Sequence, residues 1–445
     1  MTTAIKYKSY SKYNPSGVDW LGQIPDGWNV EYMKNLGRFE SSGIDKKIVE
    51  GEPLIQMVNY TDIYGNESRV VDSNKELMTV SCPAWKVSEA NLIKGDLVFT
   101  PSSETIEDIG LSALISEDLK NTVFSYHVIR FRFSEKLDHG FKKYLCNNDF
   151  VLQQFSSLAK GTTRQILDRN DFKNIIVVIP PTEFQKQIAE FLDRKIAKID
   201  DVVVKKQKLI ELLKEKRQAL ITRAVTKGLD PKAKMKPSGI DWIGELPKNW
   251  EVKRLKYVAK SNESSLAEDT DPGYSFKYLD IGNVGTGYIL EEPAEISFEN
   301  APSRARRIVK KNDTIISTVR TYLKAIYHFE NDPVNIIVST GFAVIRVSEK
   351  LTPKFFYYLS LSESFIDSVV SNSYGVSYPA INESFLMTLP VWYPKIEEQE
   401  KIVFSLDRET GEIDEVIKKV ETQIEKLQEY RQALISNAVT GKIKV

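Results

Sequence analysis

Pro15-Ser-Gly-Val-Asp-Trp-Leu-Gly-Gln-Ile-Pro-Asp-Gly-Trp28 returns as Pro237-Ser-Gly-Ile-Asp-Trp-Ile-Gly-Glu-Leu-Pro-Lys-Asn-Trp250, 222 residues later. A second repeat begins at Gln185 and Gln399, offset by 214. In it Leu192-Asp-Arg194 matches Leu406-Asp-Arg408, Arg217-Gln-Ala-Leu-Ile221 matches Arg431-Gln-Ala-Leu-Ile435, and Ala224-Val-Thr226 matches Ala438-Val-Thr440. About half of the positions from 185 to 226 are identical to their partners, whereas residues 40–160 and 262–374 match poorly. A period above 200 residues marks a duplicated domain pair, not a solenoid of short repeats. The chain thus reads as one unit written twice, a divergent body followed by a shared tail.

Its 445 residues fit about two to four domains at roughly 100–200 residues each. No window approaches the apolar run of a membrane-spanning helix, and Met1 to Asn14 lacks the apolar core of a signal peptide. Cys82 and Cys146 are too few for a disulfide framework and lack zinc spacing, so a cytoplasmic protein with reduced thiols is expected. Lys and Arg total 61 against 61 Asp and Glu, a balance that on its face argues against a nucleic-acid partner. Division by repeat unit changes that reading. Residues 1–180 hold 21 basic and 23 acidic residues, 181–236 hold 15 and 8, 237–394 hold 16 and 19, and 395–445 hold 9 and 11. One segment is therefore +7 and the others are mildly acidic.

The tails read as long helices. Ile199, Val203, Ile210, Leu213, Leu220 and Ala224 form an apolar seam, matched by Ile413, Ile417, Val420, Ile424, Leu427, Leu434 and Ala438. Their spacing is that of a heptad seam. Such a stripe needs a partner, and the other tail supplies one; the simplest closed pairing is antiparallel, with the bodies at opposite ends. Thr182 and Gln185 suit a capping box, and Gly228 and Gly441 stand where helix stops are expected. Arg217 and Arg431 interrupt the seam, either as a register device or as a surface for another subunit.

The bodies read as α+β. Strands are expected at Pro53–Asn59, Asp96–Thr100, Phe124–Phe133 and Ile175–Ile179, and again at Phe276–Ile281, Thr314–Thr318, Ile336–Val347 and Leu389–Trp392. One helix is expected in each, Phe141–Ser157 and Pro353–Ser371. Trp20, Trp28, Trp242 and Trp250 read as anchors that staple each body's leading segment onto it. The expected architecture is two similar globular domains separated by two long helices packed as an antiparallel coiled coil, with a pseudo-two-fold internal repeat. Its segments are 1–180, 181–229, 230–393 and 394–445.

The chemistry of an enzyme is missing. His127, His139 and His328 have no metal-ligand spacing, and His127, inside a strand candidate, reads as structural. No phosphate loop, dinucleotide fingerprint or nucleophile elbow occurs, and Gly282-Asn-Val-Gly-Thr-Gly287 is a loop signal only. A duplicated enzyme would repeat its catalytic residues. Here the repeated residues lie in the helices and leading segments, which suits paired binding with two specificities.

Ser238-Gly-Ile-Asp-Trp-Ile-Gly-Glu-Leu-Pro-Lys-Asn-Trp-Glu-Val252, and Arg217-Gln-Ala-Leu-Ile-Thr-Arg-Ala-Val-Thr226 with its second copy, resemble the specificity subunits of Type I restriction–modification systems. The likeness covers essentially the whole chain; one departure is Phe184, where the family often has Glu, as Glu398 here. It implies two target-recognition domains, each reading one half of a split asymmetric site in double-stranded DNA. The helices would hold them apart and dock methyltransferase subunits. By the same resemblance S-adenosylmethionine, ATP and magnesium belong to those partners and to restriction (motor) subunits, with no cofactor, metal or catalytic residue on this chain. Rival readings are a self-contained modifying enzyme and a coiled-coil scaffold without a DNA role.

Candidate DNA contacts follow from chemistry and position. Arg304, Arg306 and Arg307 suit phosphates or guanine edges, and Lys310 and Lys311 suit phosphates, unless this stretch is a solvated basic turn. Arg320 follows a strand. Tyr374-Gly-Val-Ser-Tyr378 corresponds to Lys160-Gly-Thr-Thr-Arg-Gln165, so Thr163, Arg164, Gln165, Ser377 and Tyr378 are candidate readers, against ordinary turn residues. Ser102 and Ser103 are weaker candidates. Arg217 and Arg431 are the candidate subunit contacts.

Overall fold

The computed structural model describes residues 7–445. The chain divides into two units: residues up to Lys206 with Thr422–Val445, and Gln207–Glu421. Each unit combines one body with one half of each long helix.

In the first unit, Tyr13–Pro15 and Gln23–Pro25 form a leading hairpin. Asn29–Tyr32 then pairs antiparallel with Ile176–Ile179, so the body's beginning closes on its end. Between them lies a five-stranded sheet in the order Gly37–Ser41, Ile129–Phe133, Leu97–Phe99, Ser112–Ile115, Val70–Val71. Beside it, Leu54–Val58 runs parallel to Thr122–Phe124 and antiparallel to Met78–Ser81. Leu97–Phe99 and Ser112–Ile115 are buried along their whole length, which is why they lack a period-two alternation.

The second unit repeats the plan. Met235–Pro237 and Glu245–Pro247 form its hairpin, and Glu251–Arg254 closes on Pro390–Tyr393. One sheet runs Ala259–Ser261, Phe342–Val347, Thr314–Ser317, Ile326–His328. The other runs Ala294–Ser297, Ser275–Leu279, Ile336–Ser339, Ala305–Ile308, with Ser275–Leu279 parallel to Ile336–Ser339. The α+β expectation holds.

The central helix, Thr182–Lys227, and the distal helix, Ile396–Val439, both exist. In the first unit Asp200 bonds Arg431 and Lys206 bonds Gln423; in the second Arg217 bonds Asp414. Within each unit the halves are therefore antiparallel. All the seam positions are buried or half-buried. Ile188, Leu192, Ile196 and Ile199 join Leu434, Ile435, Ala438 and Val439 in the first body's core. Ile221, Ala224 and Val225 join Ile402 and Leu406 in the second's. Gly228 and Gly441 end the helices at φ of 71° and 73°, a conformation that costs glycine nothing.

Several local expectations change. Each single body helix is two: His139–Leu145 with Asp149–Leu158, and Pro353–Leu361 with Glu363–Ser371. The breaks fall where a polar side chain caps the second helix, Asn148 accepting from the Val151 amide and Ser362 from the Phe365 amide. Phe124–Phe133 and Ile336–Val347 each span two strands in different sheets, joined by short turns. His127 lies in the first of those turns and is half-exposed, not a strand residue. No capping box joins Thr182 and Gln185. Gln185 instead accepts from the Asp138 amide and donates to the Pro180 carbonyl. Gln399 likewise accepts from Thr352 and donates to Lys350 and Pro394. Both glutamines are buried, so each satisfies backbone groups that water does not reach.

Candidate nucleic-acid interface

The pairing registers bring several chain segments of each body to one edge. In the first body Val58 lies beside Phe124, and Phe99 beside Ile129, so three strands end together. Ser102–Ser103 continues from there and pairs antiparallel with Gln165–Ile166. In the second body Leu279 lies beside Val338, and Ser317 beside Phe342. Val319 bridges Ala380 there, as Ser102 pairs Ile166 in the first body. Tyr374 bridges Ala380 as Lys160 bridges Ile166, so the two glycine-led loops are equivalent in geometry. Gly161 and Gly375 adopt φ of 129° and 116°, and a Cβ on Gly161 would meet the Arg164 carbonyl oxygen at 2.0 Å. Only glycine fits that place.

Upon this shared frame the side chains differ. Arg164 is exposed, donates to the Ser102 hydroxyl at 3.2 Å and lies 5.8 Å from the centre of the Tyr60 ring. Tyr60 stacks on Tyr64 at 5.2 Å. Tyr126 meets His127 at a tilt, ring centres 3.8 Å apart, and burial together with Lys46 and Arg164 pushes the His127 imidazole down, keeping it neutral at neutral pH. A neutral imidazole offers one donor and one acceptor, as base-edge recognition needs. Thr163 is exposed, while Gln165 turns back to donate to the Gly161 carbonyl.

In the second body Arg320 lies 4.9 Å from the centre of the Tyr378 ring, so two residues far apart in sequence meet. Arg320 and Lys324 both adopt φ of 52° and bracket the turn Thr321–Leu323. That conformation costs a non-glycine residue roughly 1–2 kcal/mol, a strain often kept where function requires it. Tyr322, Tyr374, Val376 and Ser377 are exposed around them.

The side chains of the basic stretch point to different partners and do not lie together as one patch. Ala305–Ile308 is a strand, not part of a turn. Arg304 reaches the edge, since its carbonyl accepts from the Thr340 amide, but its guanidinium bonds Asp280 at 2.8 Å. Arg306 packs over Phe298 at 4.6 Å, and Arg307 donates to Ser265 while its Nε is buried. Lys310 and Lys311 are exposed ahead of Thr314, at the end of that strand remote from Arg320. Arg217 and Arg431 each hold a carboxylate of the opposite helix half at 3.0 Å, Asp414 and Asp200. Tyr60, Tyr126 and Tyr322 carry no signal in the sequence, and His127 reads there as structural, because nothing in a turn's composition says which edge of a sheet it will share.

Among the described residues there is no group of three or more His, Cys, Asp or Glu that could hold a metal ion, and no helix is long and apolar enough to cross a membrane. Duplicated α+β bodies with unlike recognition edges define a paired recognition protein. The family described as Type I restriction modification DNA specificity domain matches residues 58–212 and 247–426, and the chain belongs to that family. Among its relatives, the putative type I restriction enzyme MjaX specificity subunit of Methanocaldococcus jannaschii is 24% identical over 439 residues, 96% of each chain. The MjaVIII specificity subunit of the same organism is 28% identical over 305 residues, 65% of this chain and 67% of that one. A chain from a solved structure concerning complex assembly and conformational transition of the type I R-M system shares the fold, with a TM-score of 0.66, 16% identity, and coverage of 94% of this chain and 99% of that one. Specificity subunits of Type I systems are the DNA-reading, non-catalytic members of complexes that also contain methyltransferase and restriction subunits.

Proposed function

We propose that this chain is the DNA-recognition subunit of a Type I restriction–modification complex, each body reading one half of a bipartite asymmetric site. The observation that carries this reading is the equivalence of the two edges: one frame with different side chains at matching places. Arg164 and Arg320, each held near an aromatic ring, are the primary readers; Thr163, Ser377, Tyr378 and His127 complete the edges, and Arg304 is a secondary contact. Direct readout needs groups placed to within a hydrogen bond, and a closed body supplies that rigidity. The two long helices, paired antiparallel within each unit, set the separation of the half-sites and dock methyltransferase subunits. Those partners bind S-adenosylmethionine, restriction subunits bind ATP and magnesium, and the complex works in the cytoplasm on double-stranded DNA.

Exchange of residues 31–179 for those of a relative tests this reading. Methylome sequencing should find one half-site changed and the other kept. An unchanged target, or two changed halves, overturns it.

A further inference from the structure

The leading turns Ser16–Gly22 and Ser238–Gly244 are alike where the bodies are not. Ser16 and Ser238 donate their amides to Gly22 and Gly244 carbonyls, both at 2.8 Å. Their hydroxyls accept from the amides of Val18 and Ile240, at 3.1 and 3.0 Å. These bonds account for the repeated serines and glycines, and burial accounts for Trp28 and Trp250, 5% and 0% exposed. Neither reason covers Asp19 with Asp241 or Trp20 with Trp242. Trp20 and Trp242 anchor their segments through one ring contact each, yet they stay 54% and 45% exposed, so anchoring accounts for only part of each indole. Asp19 and Asp241 are exposed and make no hydrogen bond or ion pair among the described residues.

Exposed positions are the ones a duplicated chain is freest to lose, yet both copies keep an acid followed by a half-exposed indole. Each indole is already held. Trp20 stacks on Phe150 at 4.4 Å and Trp242 meets Trp392 edge-on at 5.8 Å. A ring fixed before contact loses little freedom on binding, and Trp is prominent among the residues that dominate protein interfaces. The free carboxylate beside it repels a phosphate backbone and favours a basic protein surface. The same exposed acid–indole pair on two unlike bodies points to one partner taken twice.

We propose that the Asp-Trp turn of each unit is a docking surface for a protein partner bound as two copies, one per unit. Each copy presents an apolar socket for the indole with a basic group facing the carboxylate. This rests on the function proposed above, in which that partner is the methyltransferase subunit. The full chain is titrated with purified methyltransferase subunit and bound copies are counted by native mass spectrometry. D19K and D241K change only exposed side chains; each should weaken one copy at least tenfold, and the double variant should lose both. W20A and W242A should do the same, with melting temperature recorded beside them. Two copies still bound by the D19K/D241K chain, at affinity within threefold of the unsubstituted one, overturn the docking surface and leave the function standing. No copy bound by the unsubstituted chain overturns both.

Discussion

In the first body the glycine-led loop carries the guanidinium, Arg164, and the ring near it, Tyr60, comes from the segment after a strand. In the second the loop carries the ring, Tyr378, and the guanidinium, Arg320, comes from the strand-end turn. The loops are equivalent, since Lys160–Ile166 and Tyr374–Ala380 are bridged alike. What differs is which segment supplies charge and which supplies surface. The edges have therefore diverged by exchanging side chains on a frame that stayed put. Under the proposed function, backbone pairing fixes where a reader stands and the residue there decides what it reads.

The largest effect that bears on this comparison comes from removing both guanidiniums. A bidentate contact to a base is worth about 1–3 kcal/mol. R164A and R320A should each weaken binding by the assembled complex about tenfold to a hundredfold, and together about a thousandfold if the sites are independent. Competition with targets altered in one half-site separates the two: R164A should become indifferent to changes in one half only, R320A in the other. Equal loss of discrimination at both halves from either variant would break the comparison.

The bodies also differ in how they hold histidine. His328 is buried, bonds Thr314 at 3.0 Å and stacks on Tyr357, and burial pulls it down to about 4. His127 and His139 in the first body are only half-buried. Above pH 6.5 both the folded and the unfolded state leave His328 neutral, and its contribution is fully present. As pH falls from about 6.5 to about 4 the unfolded chain takes a proton that the folded one refuses, and roughly 3 kcal/mol is lost. Melting followed from pH 7 to pH 4 should show this loss, and H328N should flatten it. Hydrogen exchange should place the acid-labile opening in residues 314–357.

Much of the frame is legible in the amino-acid sequence, because the repeats are long and the helical seam is regular. Ile199, Ile413 and Ala438 are buried as their spacing requires. The edges are another matter. Arg320 and Tyr378 lie 58 positions apart, and only the pairing of Val319 with Ala380 brings them together. Thr182, three residues before Gln185, suits a local cap, whereas the partner of Gln185, Asp138, lies 47 residues away. Local rules see neighbours in sequence, and these contacts are set by strand register.

The smallest expected effect probes Phe184, a departure from the family's pattern. In the second unit Glu398 accepts from Trp250 Nε1 at 3.0 Å and from Asn249 at 2.8 Å. In the first, Phe184 stands at the matching position, with ring contacts to Tyr10 and Trp28, and Trp28 Nε1 is buried without a partner among the described residues. The indoles are otherwise equivalent, so replacing each by phenylalanine removes the same volume but an unlike number of hydrogen bonds. W250F should cost about 1.5–3 kcal/mol more than W28F, the worth of a hydrogen bond to a charged acceptor. Chemical denaturation of the two variants, with hydrogen exchange to assign each transition to its unit, measures the difference. Equal costs would mean that Glu398 acts through Asn249 alone. A larger cost for W28F would mean that the aromatic cluster around Phe184 contributes more than the bond it replaced.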